Sequence, residues 1–308
     1  MATRLHILPE PPTPVAEAAI QAAIAYDAVG EDYFTYADGD GRALYDFTSR
    51  YSYADRQIWQ QIDAALHQIR ASGRRDISLL DAGCGPGTWL LRTVRRAHHL
   101  GLHVRQARGF DISPEMIRIA RENTAFQGDF HFEVGDLQLA LPEADASVDL
   151  TLCLYGVLNH LPATTHAAAA KELARVTCGH LFTTVRTVGS LPTIYVDAVE
   201  KARSFLQDHE IDQFDADLDD GRHISFTSHL FCAAEFRALF EGHVQAMELT
   251  GLDLFHSRFS ANPRWNPAKL PYADAFEQAL CKLEERCCCD PAFMDRAAHI
   301  LLHARCAG

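Results

Sequence analysis

From residue 77 onward, short apolar runs alternate with longer segments whose apolar residues recur at helical spacing. The runs at 77–82, 105–111, 129–134, 148–154 and 179–186 read as strands and the segments between them as helices. This alternation predicts parallel strands joined by crossover helices on both faces of one sheet. Upstream, the alanine-rich segment 15–29 reads as a helix, and a second helix surrounds Arg56–Asp63. After 186 the rhythm breaks. A helix is expected at 192–208, followed by an acidic run of Asp212, Asp215, Asp217, Asp219 and Asp220. With little apolar material, 188–228 reads as an insertion and not an independent domain. A helix at 233–241, a strand near 244–255, a helix at 272–286 and a strand at 298–303 close the sheet, the last two strands as an antiparallel edge pair. The expected fold is a doubly wound, mostly parallel α/β sheet over 75–308. Residues 1–74 form a tail and helical cap, with Pro9, Pro11, Pro12 and Pro14 marking the extended part.

The first strand runs into Asp81-Ala82-Gly83-Cys84-Gly85-Pro86-Gly87-Thr88. Glycines at alternate positions leave no Cβ atoms along the turn, so a ligand can lie against the backbone. The amides opening the next helix face the same crevice. Asp81 stands at the carboxyl end of the strand, where open α/β sheets bind ligands. The second strand ends in Gly109-Phe110-Asp111, which places an acid to accept from two ribose hydroxyls. A dinucleotide fingerprint requires G-x-G-x-x-G; here the third dinucleotide position holds Thr88.

The chain has 308 residues, 48% hydrophobic, with a formal net charge of −13, which disfavours non-specific attraction to nucleic acid or anionic membrane. Arg92, Arg95, Arg96, His98 and His99 form the best basic patch, and on a helix they read as a solvated face. Nine cysteines lack metal-ligand spacing, and the adjacent Cys287, Cys288 and Cys289 suit half-buried thiols better than one tetrahedral zinc. No leader-like core or membrane span is expected, and a reducing cytoplasm is the simplest compartment.

Four motifs together resemble the class I S-adenosylmethionine-dependent methyltransferases. They are D-A-G-C-G-P-G at 81–87, F-D-I-S at 110–113, V-G-D-L at 134–137 and V-D-L-T-L-C-L at 148–154. The resemblance covers about 75–187 and implies a seven-stranded sheet with S-adenosyl-L-methionine as cofactor. It implies that Gly83, Gly85 and Gly87 pass beside the methionine part, with Asp81 at the strand end. It places Asp111 on the ribose, Ile112 and Met116 on the adenine face, and Asp136 and the Leu137 amide on the adenine edge. Leu154 and Tyr155 come near the sulfonium. Purely local roles stay open: a helix N-cap for Asp111 and a turn for Asp136.

His160, in Tyr155-Gly156-Val157-Leu158-Asn159-His160, is the candidate general base, the alternative being a packing histidine at a helix start. The tyrosine-rich segment before the first strand is expected to fold over the sheet as a lid, resembling capped small-molecule methyltransferases. There Arg50 is the candidate partner of the cofactor carboxylate, and Tyr36 is both a candidate cofactor contact, its ring towards the methyl centre, and the second candidate for acceptor handling. His223, His229 and His256 lack compact ligand spacing, so no metal is expected. The reading is methyl transfer to a small-molecule O or N acceptor by a monomer or homodimer. The alternatives are a methyltransferase of protein or RNA, a non-catalytic cofactor-binding subunit and a nicotinamide oxidoreductase.

Overall fold

Among the described residues, apolar positions at helical spacing form two N-terminal helices. α1 spans Pro14–Val29 and α2 spans Ser52–Ala71. α2 buries Ile58, Ile62, Ala65, Leu66 and Ile69, one stripe at the helical repeat, against the sheet. The computed structural model describes residues 14–30, 44–45, 47, 51–125, 128, 130–190, 202–256 and 275–306. Tyr33, Tyr36 and Arg50 of the expected lid lie outside these residues.

The alternating segment follows as β1 (Asp76–Ala82), α3 (Thr88–His99), β2 (His103–Asp111), α4 (Pro114–Thr124), β3 (Phe130–Val134) and β4 (Val148–Cys153). After β4 come a 3₁₀ turn at Val157–His160, α5 (His166–Val176) and β5 (Thr177–Arg186). Side chains alternate across the pleat, so neighbouring residues of β1 enter different cores. Ile77 and Leu79 pack with α2 and α3, whereas Leu80 and Ala82 pack with Leu173 of α5. This two-sided burial explains why the parallel strands read as continuous apolar runs.

β6 (Ala202–Asp208), β7 (Gln213–Leu218), β8 (His223–Thr227), α6 (Ala233–Ala238), β9 (Ala246–Leu252), α7 (Ala275–Cys287), α8 (Pro291–Met294) and β10 (His299–Arg305) complete the described elements. The main sheet has seven strands in the order β3-β2-β1-β4-β5-β10-β9. β1 to β5 are parallel, and β10 lies antiparallel between β5 and β9. The expected antiparallel pair is therefore present, with only β9 at the edge. Chain order reverses between β1 and β4, which opens a crevice at their carboxyl ends.

Two expectations require correction. Of the helix expected at 192–208, residues 192–201 lie outside the described residues and 202–208 form a strand, and β6, β7 and β8 make a separate antiparallel sheet. Gln213-Phe214-Asp215-Ala216-Asp217-Leu218 alternates strictly, and its acids occupy one face while Phe214, Ala216 and Leu218 are buried. These three join Ile224, Phe226 and Ala25 of α1 in a small core, so the insertion has its own apolar anchor. The second correction concerns Arg92, which is 2% exposed and far from a solvated face. Its guanidinium lies over the rings of Phe47 and Trp89, at 4.9 and 4.8 Å, and Nε donates to the Leu44 carbonyl. Arg96 pairs with Asp63 of α2 at 2.6 Å.

Candidate active site

The glycine turn after β1 is built around positive φ values, +73° at Gly83 and +79° at Gly87. A Cβ at Gly83 would stand 2.3 Å from Cγ2 of Val157, so only glycine lets the two walls approach this closely. A crevice opens between the turn, the ends of β2 and β4, the 3₁₀ turn and α1. Of the sequence-derived candidates, Gly83, Gly85, Asp111, Ile112, Asp136, Leu137, Leu154, Tyr155 and His160 line it. Asp81, Gly87 and Met116 do not line it. Met116 is fully buried in α4, and Asp81 is 2% exposed at the end of β1. Tyr36 and Arg50 belong to the residues not described.

The Asp111 carboxylate is fixed by backbone. Oδ2 accepts from the Gly85 amide at 2.8 Å and Oδ1 from the Ser113 amide at 3.0 Å. Burial pushes its pKa up, while the amides of Ser113, Gly85 and Ile112 oppose that shift and the nearby Asp27 adds to it. Each oxygen retains lone-pair capacity for a further donor. The N-cap of α4 is Ser113, whose Oγ accepts from the Met116 amide at 3.0 Å, so Asp111 is left for the crevice. Asp136 does take a turn role: Oδ1 accepts from the Gln138 amide at 2.9 Å. Phe110, Ile112, Leu137 and Leu161 give the crevice apolar walls. Bare backbone at the turn, an acid held at a strand end and apolar flanks together fit a nucleoside.

α1 supplies the cover. Ala19, Ala22 and Tyr26 face the crevice, spaced along one stripe of the helix. Sequence reasoning gave them no role, although that spacing was a readable signal. Tyr26 Oη hydrogen-bonds His160 Nε2 at 2.8 Å, and His160 Nδ1 lies 3.0 Å from the Thr227 carbonyl. A carbonyl only accepts, so Nδ1 carries the proton and Nε2 accepts from the tyrosine. Burial pushes the His160 pKa down to about 4, so the ring is neutral near pH 7. At the end of α1, Asp27 accepts from Ser113 Oγ at 2.5 Å and from the Glu115 amide at 3.3 Å.

On the other side, Tyr155 stands just after β4 at φ +59°, a conformation costly for a side chain of its size. Its hydroxyl donates to Asp55 of α2, and its ring packs between Tyr51, Trp89 and His299. Burial raises its pKa well above the usual tyrosine range. Asn159 serves the scaffold: Oδ1 accepts from the Arg186 amide, and Nδ2 donates to the carbonyls of Arg186 and His229.

The strand order and this crevice define an α/β nucleoside-binding fold of the methyltransferase type. Residues 79–178 match the family described as methyltransferase domain. Over that third of the chain the sequence is similar to the S-adenosylmethionine-dependent methyltransferases, a class whose cofactor is S-adenosyl-L-methionine. It is similar to malonyl-[acyl-carrier protein] O-methyltransferase of Pseudescherichia vulneris, 34% identical over 169 residues, covering 52% of this chain and 61% of that protein. The chain thus spans about three fifths of that relative's length. In fold it resembles a DhpI–SAH complex, at TM-score 0.50 and 15% identity over 94% of this chain and 97% of the other. It also resembles the [4+2]-cyclase SpnF, at TM-score 0.51 and 17% identity over 94% and 96% of the two chains. Among the described residues no helix is long and apolar enough to cross a membrane.

Proposed function

We propose that the protein transfers a methyl group from S-adenosyl-L-methionine to an oxygen or nitrogen of a small molecule. The observation that carries this reading is the crevice in which Asp111, clamped by the Gly85 and Ser113 amides, faces the stripe of α1 across the glycine turn. The cofactor supplies a methyl carbon already activated by a sulfonium, so alignment and proton removal are the protein's main tasks. Asp111 accepts from the ribose hydroxyls, and Asp136 with the Leu137 amide reads the adenine edge. Leu154 and Tyr155 close the end nearest the reacting centre, while α1 limits water entry. His160 is held neutral and already accepts from Tyr26, so its role is to orient the tyrosine hydroxyl and, through it, the acceptor. Tyr36 and Arg50 keep the roles assigned from sequence, acceptor handling and the cofactor carboxylate. The acidic net charge supports a small acceptor over RNA.

The test is calorimetric titration with S-adenosylhomocysteine, followed by label transfer from S-adenosyl-L-methionine to panels of hydroxy and amino acceptors. Asp111→Asn is expected to weaken binding about 100-fold, two charge-assisted hydrogen bonds being worth roughly 3 kcal/mol together. Unchanged affinity would remove Asp111 from the cofactor site. A second reading, cofactor binding without methyl transfer, draws on the fold shared with the [4+2]-cyclase. It predicts S-adenosylhomocysteine binding with no label transferred to any acceptor.

A further inference from the structure

A cluster of imidazoles and carboxylates lies behind the crevice wall and has no part in the function above. His166 opens α5, His229 follows β8, Glu235 lies in α6 and Asp212 sits in the turn between β6 and β7. His229 is the hub. Its Nδ1 is 2.8 Å from Asp212 Oδ2, and its Nε2 is 2.8 Å from Glu235 Oε1. The His166 ring stands 5.0 Å from the His229 ring, and one ligand atom from each of His166, His229 and Glu235 falls within 4.8 Å of the others.

We propose that His166, His229 and Glu235 bind a divalent transition metal of the zinc class, with Asp212 orienting His229. Two imidazole nitrogens and one carboxylate oxygen form a borderline-soft N₂O donor set, which suits zinc with a water in the fourth position. Tetrahedral zinc at about 2.0–2.2 Å from each ligand separates the ligand atoms by roughly 3.3 Å. The site therefore closes by roughly 1.5 Å along its widest edge and opens slightly between His229 and Glu235. That movement falls within side-chain rotation.

The arrangement around His229 matches what a metal ligand needs. Asp212 holds a proton on Nδ1, so metal binding displaces only the Nε2 proton now donated to Glu235 and frees that lone pair for the ion. The backbone of His229 is clamped, its amide donating to the Asn159 carbonyl at 2.8 Å and its own carbonyl accepting from Asn159 Nδ2. Asp212 is held at φ +55°, and its carbonyl accepts from the Ser228 amide at 2.7 Å. Glu235 is 40% exposed, which gives an ion a path from solvent. His166 Nε2 donates to the Leu161 carbonyl at 2.9 Å, an outer contact that leaves the Nδ1 lone pair for the ion. The ion would join the insertion, α5 and α6 at one point. The proposal stands independently of the methyl-transfer reading.

The test is titration of the chelator-treated full-length protein with Co²⁺, followed by competition with Zn²⁺. The expected result is a four- or five-coordinate Co²⁺ ligand-field spectrum without a thiolate charge-transfer band, abolished by Zn²⁺. Zn²⁺ is also expected to raise the melting temperature. Glu235→Gln and Asp212→Asn should each weaken Co²⁺ binding at least about ten-fold, and the outer-shell change at Asp212 should be the milder. Because Glu235 is surface-accessible, its variant is expected to melt like wild type without metal. Replacing Cys288 and Cys289 with serine should leave binding unchanged. No saturable binding at millimolar metal, a thiolate band lost in the serine variant, or undiminished affinity in Glu235→Gln would each overturn the proposal.

Discussion

Tyr26 and His160, 134 residues apart in sequence, share a 2.8 Å hydrogen bond that ties the cap helix to the turn after β4. The rings also meet edge to face, with centroids 5.4 Å apart. This contact fixes the position of α1 over the crevice. Tyr26→Phe keeps the ring and leaves Nε2 buried without its donor, so a loss of about 1–2 kcal/mol in stability is expected. Affinity for S-adenosylhomocysteine should fall in the same variant. Urea unfolding and calorimetry check both, and wild-type values in both would show that the bond does not hold the cap.

Stability should decline in mild acid. The His160 pKa lies near 4 in the folded chain, against an ordinary value of 6.5. Between these values the unfolded chain binds a proton that the folded chain refuses, so stability falls as pH drops from 6.5 towards 4. The full effect is about 3 kcal/mol for one such ring. His180 and His303, hydrogen-bonded to each other at 2.9 Å and both near 4, push in the same direction. The urea midpoint measured across pH 4–7 should therefore have a positive slope, shallower in His160→Gln. An equal slope in that variant would assign the effect to other groups.

Arg92 is a buried cation stacked on Phe47 and Trp89 beside the Leu44 carbonyl. Arg92→Ala removes the stacking and leaves that carbonyl without its donor, for an expected loss of about 3 kcal/mol. Arg92→Lys should recover less than half, since an ammonium cannot stack as a planar fork. Melting temperatures of the two variants test the order.

The insertion depends on a small core, and Phe214 and Phe226 are its largest members. Phe214→Ala should cost about 3–5 kcal/mol there. Hydrogen exchange is the informative readout, because amide protection should drop in β6, β7 and β8 while β1 and β4 keep theirs. A uniform drop would mean that the insertion unfolds only with the whole domain.

The main sheet was legible because its strands are buried on both faces and end in glycine or aspartate, as at Ala82-Gly83 and Gly109-Phe110-Asp111. The crevice wall was legible for the same reason, since motif residues fall at strand ends. The insertion was misread because five acids between 212 and 220 obscured the period-2 alternation of Phe214, Ala216 and Leu218. The segment 202–208 pairs with β7, and that pairing overrides a helical reading of its composition. Arg92 was assigned outward because charge on a helix usually faces water, whereas Phe47, distant in sequence, provides its cover. The role of Tyr26 depends on a partner 134 residues away, which local pattern does not reveal.

Ala25 is packed into the core of the insertion, while its neighbour Tyr26 faces the crevice. A single step along α1 thus separates the side anchored to β7 and β8 from the side that covers a ligand. The cover of the crevice and the core of the insertion are therefore coupled through one helix. Weakening that core, as in Phe214→Ala, is expected to speed release of S-adenosylhomocysteine more than it slows capture, which stopped-flow binding would show.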